Sequence, residues 1–261
     1  MALINLDICP NQPKQRRMRL FLTTGLVLLV HCVFAQHISK VNFDLIEKNI
    51  SDSSSNFYYP KLRKRLKNGD STFTHQEYHH LYYGLVFQKY YYPYGTSHSK
   101  KNFLKAYKAH EYQDAYQKGK VALMQNPVDL EVLLKMSITC LKLDEHEQKR
   151  YYAKLYYSFL DVIYYSGDGQ YEESAFVVIS VDHEYYIAGD LGLRVVQQQL
   201  INDCDLLTFS KRDQPRIKGR KKIKELFFNV RMPLMSLSKS YKDSDLPDPD
   251  PDPDELEEED Q

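Results

Sequence analysis

The sequence predicts an α+β fold in which an N-terminal helical layer packs on a C-terminal, mostly antiparallel β-sheet. Three observations predict it. Apolar residues recur at helical spacing from residue 38 to 165, β-branched and alternating runs follow between residues 175 and 230, and Ser166-Gly167-Asp168-Gly169 separates the two regimes.

The elements follow in chain order. Ile38 to Ile50 carries Val41, Leu45 and Ile46 at helical spacing, and the polar run from Ser51 to Asn56 ends it. Pro60 suits the first turn of a short basic helix that stops at Gly69. Thr74 and Glu77 form a Thr-x-x-Glu capping box, with Phe73 and Tyr78 placed as a hydrophobic staple, and open a helix through about Phe87. Tyr90 to Gly95, with Pro93 inside, breaks it. Residues 111 to 127 set Ala115, Ala122 and Pro127 at the spacings of the second helix of a tetratricopeptide repeat and its terminating proline. Leu130 to Leu143 and Glu145 to Tyr165 read as two more helices. One and a half repeats are too few to stack as an array, so a TPR-like hairpin layer is expected. Ala175 to Val181 then reads as a strand, Asp182 caps a short helix through Gly189, and Leu193–Ile201, Asp205–Ser210 and Ile223–Val230 read as further strands.

The two ends are of a different kind. Lys14, Arg16, Arg17 and Arg19 precede an apolar run from Leu20 to Phe34 that closes on Val33-Phe34-Ala35, the pattern of a secretory signal peptide over residues 1–35. Met18 would serve as an alternative start. The run is shorter than a bilayer span, and membrane contact is expected only through this transient signal. The expected address is the periplasm or cell envelope. A lipoprotein attached at Cys32 is the second choice, because His31 stands where lipid transfer favours a small residue. Cleavage at Ala35 would leave Cys140 and Cys204 as the remaining thiols, either bridged or, as the helical context of Cys140 suggests, buried and free. A single domain is expected over residues 36–232, and an acidic, disordered Asp-Pro tail over 233–261.

A net charge of zero hides an asymmetry. Asp248 to Asp260 holds nine acids and no base, so the preceding chain holds all 35 Lys and Arg against 26 acids. Weak divalent-cation binding is the most the tail offers, since the glycine and terminal glutamate of an EF-hand loop are missing. Eight Lys and Arg between Lys211 and Lys224 form a basic cluster that reads as a hairpin loop. It holds no stacking aromatics, and no nucleic-acid partner is expected.

Phe57-Tyr58-Tyr59-Pro60, Glu77-Tyr78, His80-Leu81-Tyr82-Tyr83-Gly84, Pro93-Tyr94-Gly95, Ser166-Gly167-Asp168-Gly169 and Val178-Ile179-Ser180-Val181 leading to Glu184-Tyr185 are distinctive strings. In these the chain resembles an exported bacterial family catalogued as domain of unknown function 4919, over most of residues 40 to 232. The resemblance implies one exported domain and brings no activity with it.

Candidates for chemistry are few. His75 and His79, four apart, could present two imidazoles to zinc, although Gln76 stands where His-Glu-x-x-His has its glutamate; a surface pair is the plainer reading, and no metal or cofactor is expected. His80 could act as an acid or base, or be a core histidine bonded to a carbonyl. Asp168 lies on a turn and His183 begins a helix, so His80, Asp168 and His183 form the candidate set for a small hydrolase between helical layer and sheet. No Ser or Cys nucleophile stands in a recognisable elbow. Twenty-two tyrosines and no tryptophan suggest contact with a protein or peptide, with Tyr82, Tyr83, Tyr152 and Tyr156 as candidate binding residues. The expected role is a non-catalytic protein- or peptide-binding module of the envelope, with the hydrolase as alternative.

Overall fold

The computed structural model of the chain describes residues 41–212, 214 and 222–243. The fold is α+β, with helices first and a four-stranded mixed sheet after them. The signal-like segment and the Asp-Pro run lie outside the described residues, as does half of the basic cluster.

α1 (Phe43–Ser51) is capped by Asn42, whose side chain accepts from Leu45 N, and it buries Ile46 and Ile50. α2 (Tyr59–Lys67) has Pro60 in its first turn and ends before Gly69, whose φ of 75° suits glycine. The expected capping box opens α3 (His75–Gly84): Thr74 Oγ1 accepts from Glu77 N at 3.3 Å, and Thr74 N donates to Glu77 Oε2 at 2.7 Å. The Phe73 and Tyr78 rings close the staple at 5.2 Å between centroids. A 3₁₀ turn over Leu85–Phe87 completes the predicted length.

Two helical hairpins follow: α4 (His98–Lys108) with α5 (Tyr112–Gln125), and α6 (Leu130–Lys142) with the long α7 (His146–Tyr164). The α5–α6 crossing is close because residue 119 is glycine; a β-carbon there would collide with Met136 and crowd Phe103. Helix α4 goes beyond the sequence reading. Ser97 caps it, and Phe103 and Ala106 turn inward.

The sheet order is β1-β4-β3-β2, where β1 is Phe176–Val177, β2 Val195–Ile201, β3 Cys204–Phe209 and β4 Glu225–Asn229. β1 runs parallel to β4, and the other pairs are antiparallel. A two-residue link, with Asn202 at φ 53°, joins β2 to β3. The described members of the basic cluster, Lys211, Arg212, Lys222 and Lys224, lie in the connection between the antiparallel neighbours β3 and β4. α8 (Asp182–Asp190) lies between β1 and β2 in sequence, and α9 (Arg231–Asp243) follows β4.

Two expectations are corrected here, and the free-thiol reading of the cysteines holds. The strand predicted over Ala175 to Val181 is only two residues long, because Val178, Ile179 and the residues after them leave the sheet for a buried connection into α8. The helix α9 takes up residues 233 to 243, which composition had assigned to the acidic tail; Leu234 packs on the core. Cys140 and Cys204 are both buried and free, so no disulfide joins them.

The core is continuous from helices to sheet. Tyr164 of α7 meets Phe176 of β1 at 5.8 Å, and Phe176 meets Phe228 of β4 at 5.7 Å, which ties the two layers through aromatic edges.

Candidate functional site

An apolar cleft of about 310 Å³ lies between α2, α5, α6 and α7. Its floor is made by Leu66, Leu123, Leu133 and Leu155, all on the inward stripes of their helices. Its rim carries Arg63 and Lys67 from α2 and Lys120 from α5. Arg63 is 7 % exposed and braces two walls: one nitrogen donates to Tyr90 OH and another to Met124 O, each at 2.7 Å. Tyr151 OH donates to Leu66 O at 2.6 Å, and Tyr152 lies beside it. Burial pushes both phenols above their ordinary range, so they are neutral at any physiological pH.

A second cavity, of about 60 Å³, is polar and small, with room for a few water molecules. Lys100 lines it, 2.9 Å from Asp129, 3.2 Å from Glu131 and 3.9 Å from Asp182. Burial alone would lower the Lys100 ammonium, but these carboxylates outweigh it and hold the group charged. Asp129 also caps α6 through Val132 N at 3.0 Å, so the cluster is structural.

His80, Asp168 and His183 do not form one site; their hydrogen-bond partners are all different. His80 Nδ1 donates to Gln76 O at 2.7 Å, which leaves Nε2 to accept from Asn49 Nδ2 at 3.0 Å, while its ring stacks on Phe57. That is the core histidine, with its pKa lowered by burial. Asp168 accepts from Gln170 N at 2.9 Å and Ser174 OH at 2.6 Å, closing the turn it sits in. His183 faces the polar cavity and pairs its Nδ1 with Tyr82 OH at 2.7 Å; burial and then Lys100 lower it to about 3, so it stays neutral.

His75 packs edge-on against Tyr165, whereas His79 is lowered to about 4, first by burial, and its Nδ1 is buried with no partner. Among the described residues, no group of three or more His, Cys, Asp or Glu could hold a metal ion. Tyr82 and Tyr83 are fully buried and cannot form a binding surface. Their hydroxyls fasten His183 and Val177 O instead. Tyr152 and Tyr156 are buried too, and of the four only Tyr152 lines the cleft; the exposed members of the helical pairs are Tyr157 and Tyr165.

One pair was missed. Glu184 of α8 is fully buried and neither of its oxygens receives a donor from the protein, yet it lies against Asp205 of β3. Two carboxyl groups meet this way only if one keeps its proton. Burial, then Asp205, push Glu184 up to about 10, so it stays protonated beside Asp205, which accepts from Gln198 Nε2 at 2.7 Å. Alternation along β3 was the available signal, since Asp205 shares its face with Leu207 and Phe209.

The strings that carry the family resemblance are held by bonds to one another or to residues directly beside them. Beside the Tyr82 and Tyr83 bonds, Tyr91 OH donates to Ile179 O at 2.6 Å, Ser180 OH reaches Pro93 O at 3.5 Å, and Val177 N donates to Ser166 Oγ at 2.8 Å. No curated protein and no solved structure matches the chain. The family model described as "Domain of unknown function (DUF4919)" matches residues 44–239, and the chain belongs to that family.

Proposed function

We propose that this chain is an exported, non-catalytic module of the periplasm or cell envelope that binds a protein or peptide in the apolar cleft between α2, α5, α6 and α7. The observation that carries the reading is the cleft itself: about 310 Å³, floored by leucines and flanked by two neutral tyrosines. Concave, mostly apolar sites with a few placed polar groups are the usual form of a ligand site. The separate local bonding of His80, Asp168 and His183 gives the hydrolase alternative no assembled centre to start from. The signal-like segment before Ala35 supports the address.

The test is photo-crosslinking in cells. A benzoylphenylalanine placed at Lys120, on the cleft rim, is expected to trap a defined adduct in the envelope fraction, and the same group at exposed Val196 on β2 is not. Equal labelling from both positions, or an adduct from Val196 alone, would contradict the reading.

A further inference from the structure

We infer that the acidic segment from Asp248 to Asp260 docks, within its own chain, on the basic face of the β3–β4 connection. The inference is independent of what the apolar cleft binds. Lys211, Arg212, Lys222 and Lys224 are all exposed, and among the described residues no ion pair engages any of them. Their backbone is fixed even so. Phe209 N donates to Lys224 O at 2.8 Å, and buried Gln214 clasps the two stems: its Oε1 accepts from Ile223 N at 2.9 Å and its amide donates to Ser210 O at 3.3 Å. Lys222 Nζ donates to the Lys211 carbonyl, which draws the cations of the two stems together. Like charges gathered in this way raise the local potential and favour an anionic partner.

Charge and reach select the chain's own tail as that partner. From Lys211 to Lys224 the sequence sets eight Lys and Arg against Asp213, and from Asp248 to Asp260 it sets nine acids against no base. The tail departs from α9, which follows β4 directly. β4 has 5 residues and α9 has 13, so at about 3.3 and 1.5 Å per residue the end of α9 lies within about 40 Å of Lys224, even were the helix to run straight on from the strand. Asp260 stands seventeen residues beyond Asp243, about 50 Å of chain at the 3.1 Å per residue that alternating prolines favour. The distal acids therefore reach the cluster whichever way α9 points. A single exposed ion pair is worth little, but a tether of this length holds the acids at an effective concentration on the order of millimolar, where several weak pairs suffice.

The experiment is zero-length carbodiimide crosslinking of the full-length chain, read by peptide mass spectrometry. Crosslinks from the acidic segment to Lys211, Lys222 and Lys224 are expected to exceed those to exposed Lys48 and Lys142 by about tenfold at low salt, and to fall to parity in sodium chloride at about 1 M, where charges are screened within about 3 Å. In a mixture of isotopically heavy and light chains these crosslinks are expected within one chain. Heavy-to-light crosslinks would mean that the tail docks on a second copy and would overturn the inference, as would even labelling of all five lysines at low salt. A Lys211→Glu/Arg212→Glu/Lys224→Glu variant, changed only at exposed positions, is expected to keep its thermal midpoint and to release the tail. The anisotropy of a dye at the C-terminus is then expected to fall with salt in the unaltered chain and to be low at every salt concentration in the variant; the same salt dependence in both would overturn the inference.

Discussion

Glu184 shows how much one residue can carry. Its folded-state carboxyl is raised to about 10, against 4.5 for an ordinary glutamate, so between those values the folded chain keeps a proton that the unfolded chain releases. The sign follows: stability from this group is full below about pH 4.5 and falls as pH rises through the window toward 10, by up to about 1.4 kcal/mol per pH unit. Glu184→Gln keeps the shape and is neutral at every pH. The thermal midpoint of that variant is expected to match or exceed the unaltered chain at pH 8 and to lose most of its decline between pH 5 and 9. Equal slopes in both proteins would contradict a proton retained on Glu184. At this scale the sequence was legible where a residue's partner is local, as with Thr74 and Glu77 or with His80 and the carbonyl four residues before it. It was opaque for Glu184, whose partner lies on a strand across the fold, and for Tyr82 and Tyr83, where helical spacing gives no sign that both phenols find buried partners.

Among the elements, the Ser166-Gly167-Asp168-Gly169 turn does the most positioning. Asp168 N and Gly169 N both donate to Ser174 O, Gly169 O accepts from Phe227 N, and the turn joins the end of α7 to β1 and β4. A β-carbon at residue 167 would collide with the carbonyl oxygens of Ser174 and Ala175, which are backbone and cannot rotate away. Gly167→Ala is therefore expected to destabilise the chain by about 1–3 kcal/mol in urea denaturation, with an unchanged slope. A change under about 0.5 kcal/mol would mean that the turn is looser than described. Caps, prolines and glycines marked most boundaries correctly. Helix α4 was hidden by His98-Ser99-Lys100-Lys101-Asn102, which reads as a polar loop; Lys100 turns inward because Asp129 and Glu131 on the next hairpin meet it. The two-residue β1 was overestimated because β-branched residues suit any buried extended segment, in a sheet or beside one.

For the whole molecule, the change of period near residue 170 was enough to give the α+β layering, since it is a property of long segments. The repeat-like spacing of Ala115, Ala122 and Pro127 falls in α5 and the turn after it, inside two consecutive hairpins, α4–α5 and α6–α7. The cleft was not legible, because the α2 wall lies about fifty to ninety residues before the lining residues of α5, α6 and α7 and no spacing rule joins them. What the sequence offered was the tyrosine excess, and only Tyr151 and Tyr152 of that excess line the cleft. The central claim is that this cleft binds peptide. The most direct measurement is selection of a displayed random dodecapeptide library against the full-length chain and against a Leu123→Arg variant, which places a long charged side chain on the cleft floor. The account predicts peptides enriched by the unaltered chain and lost on the variant, with both proteins equally folded by circular dichroism; the same peptides enriched on both would contradict it.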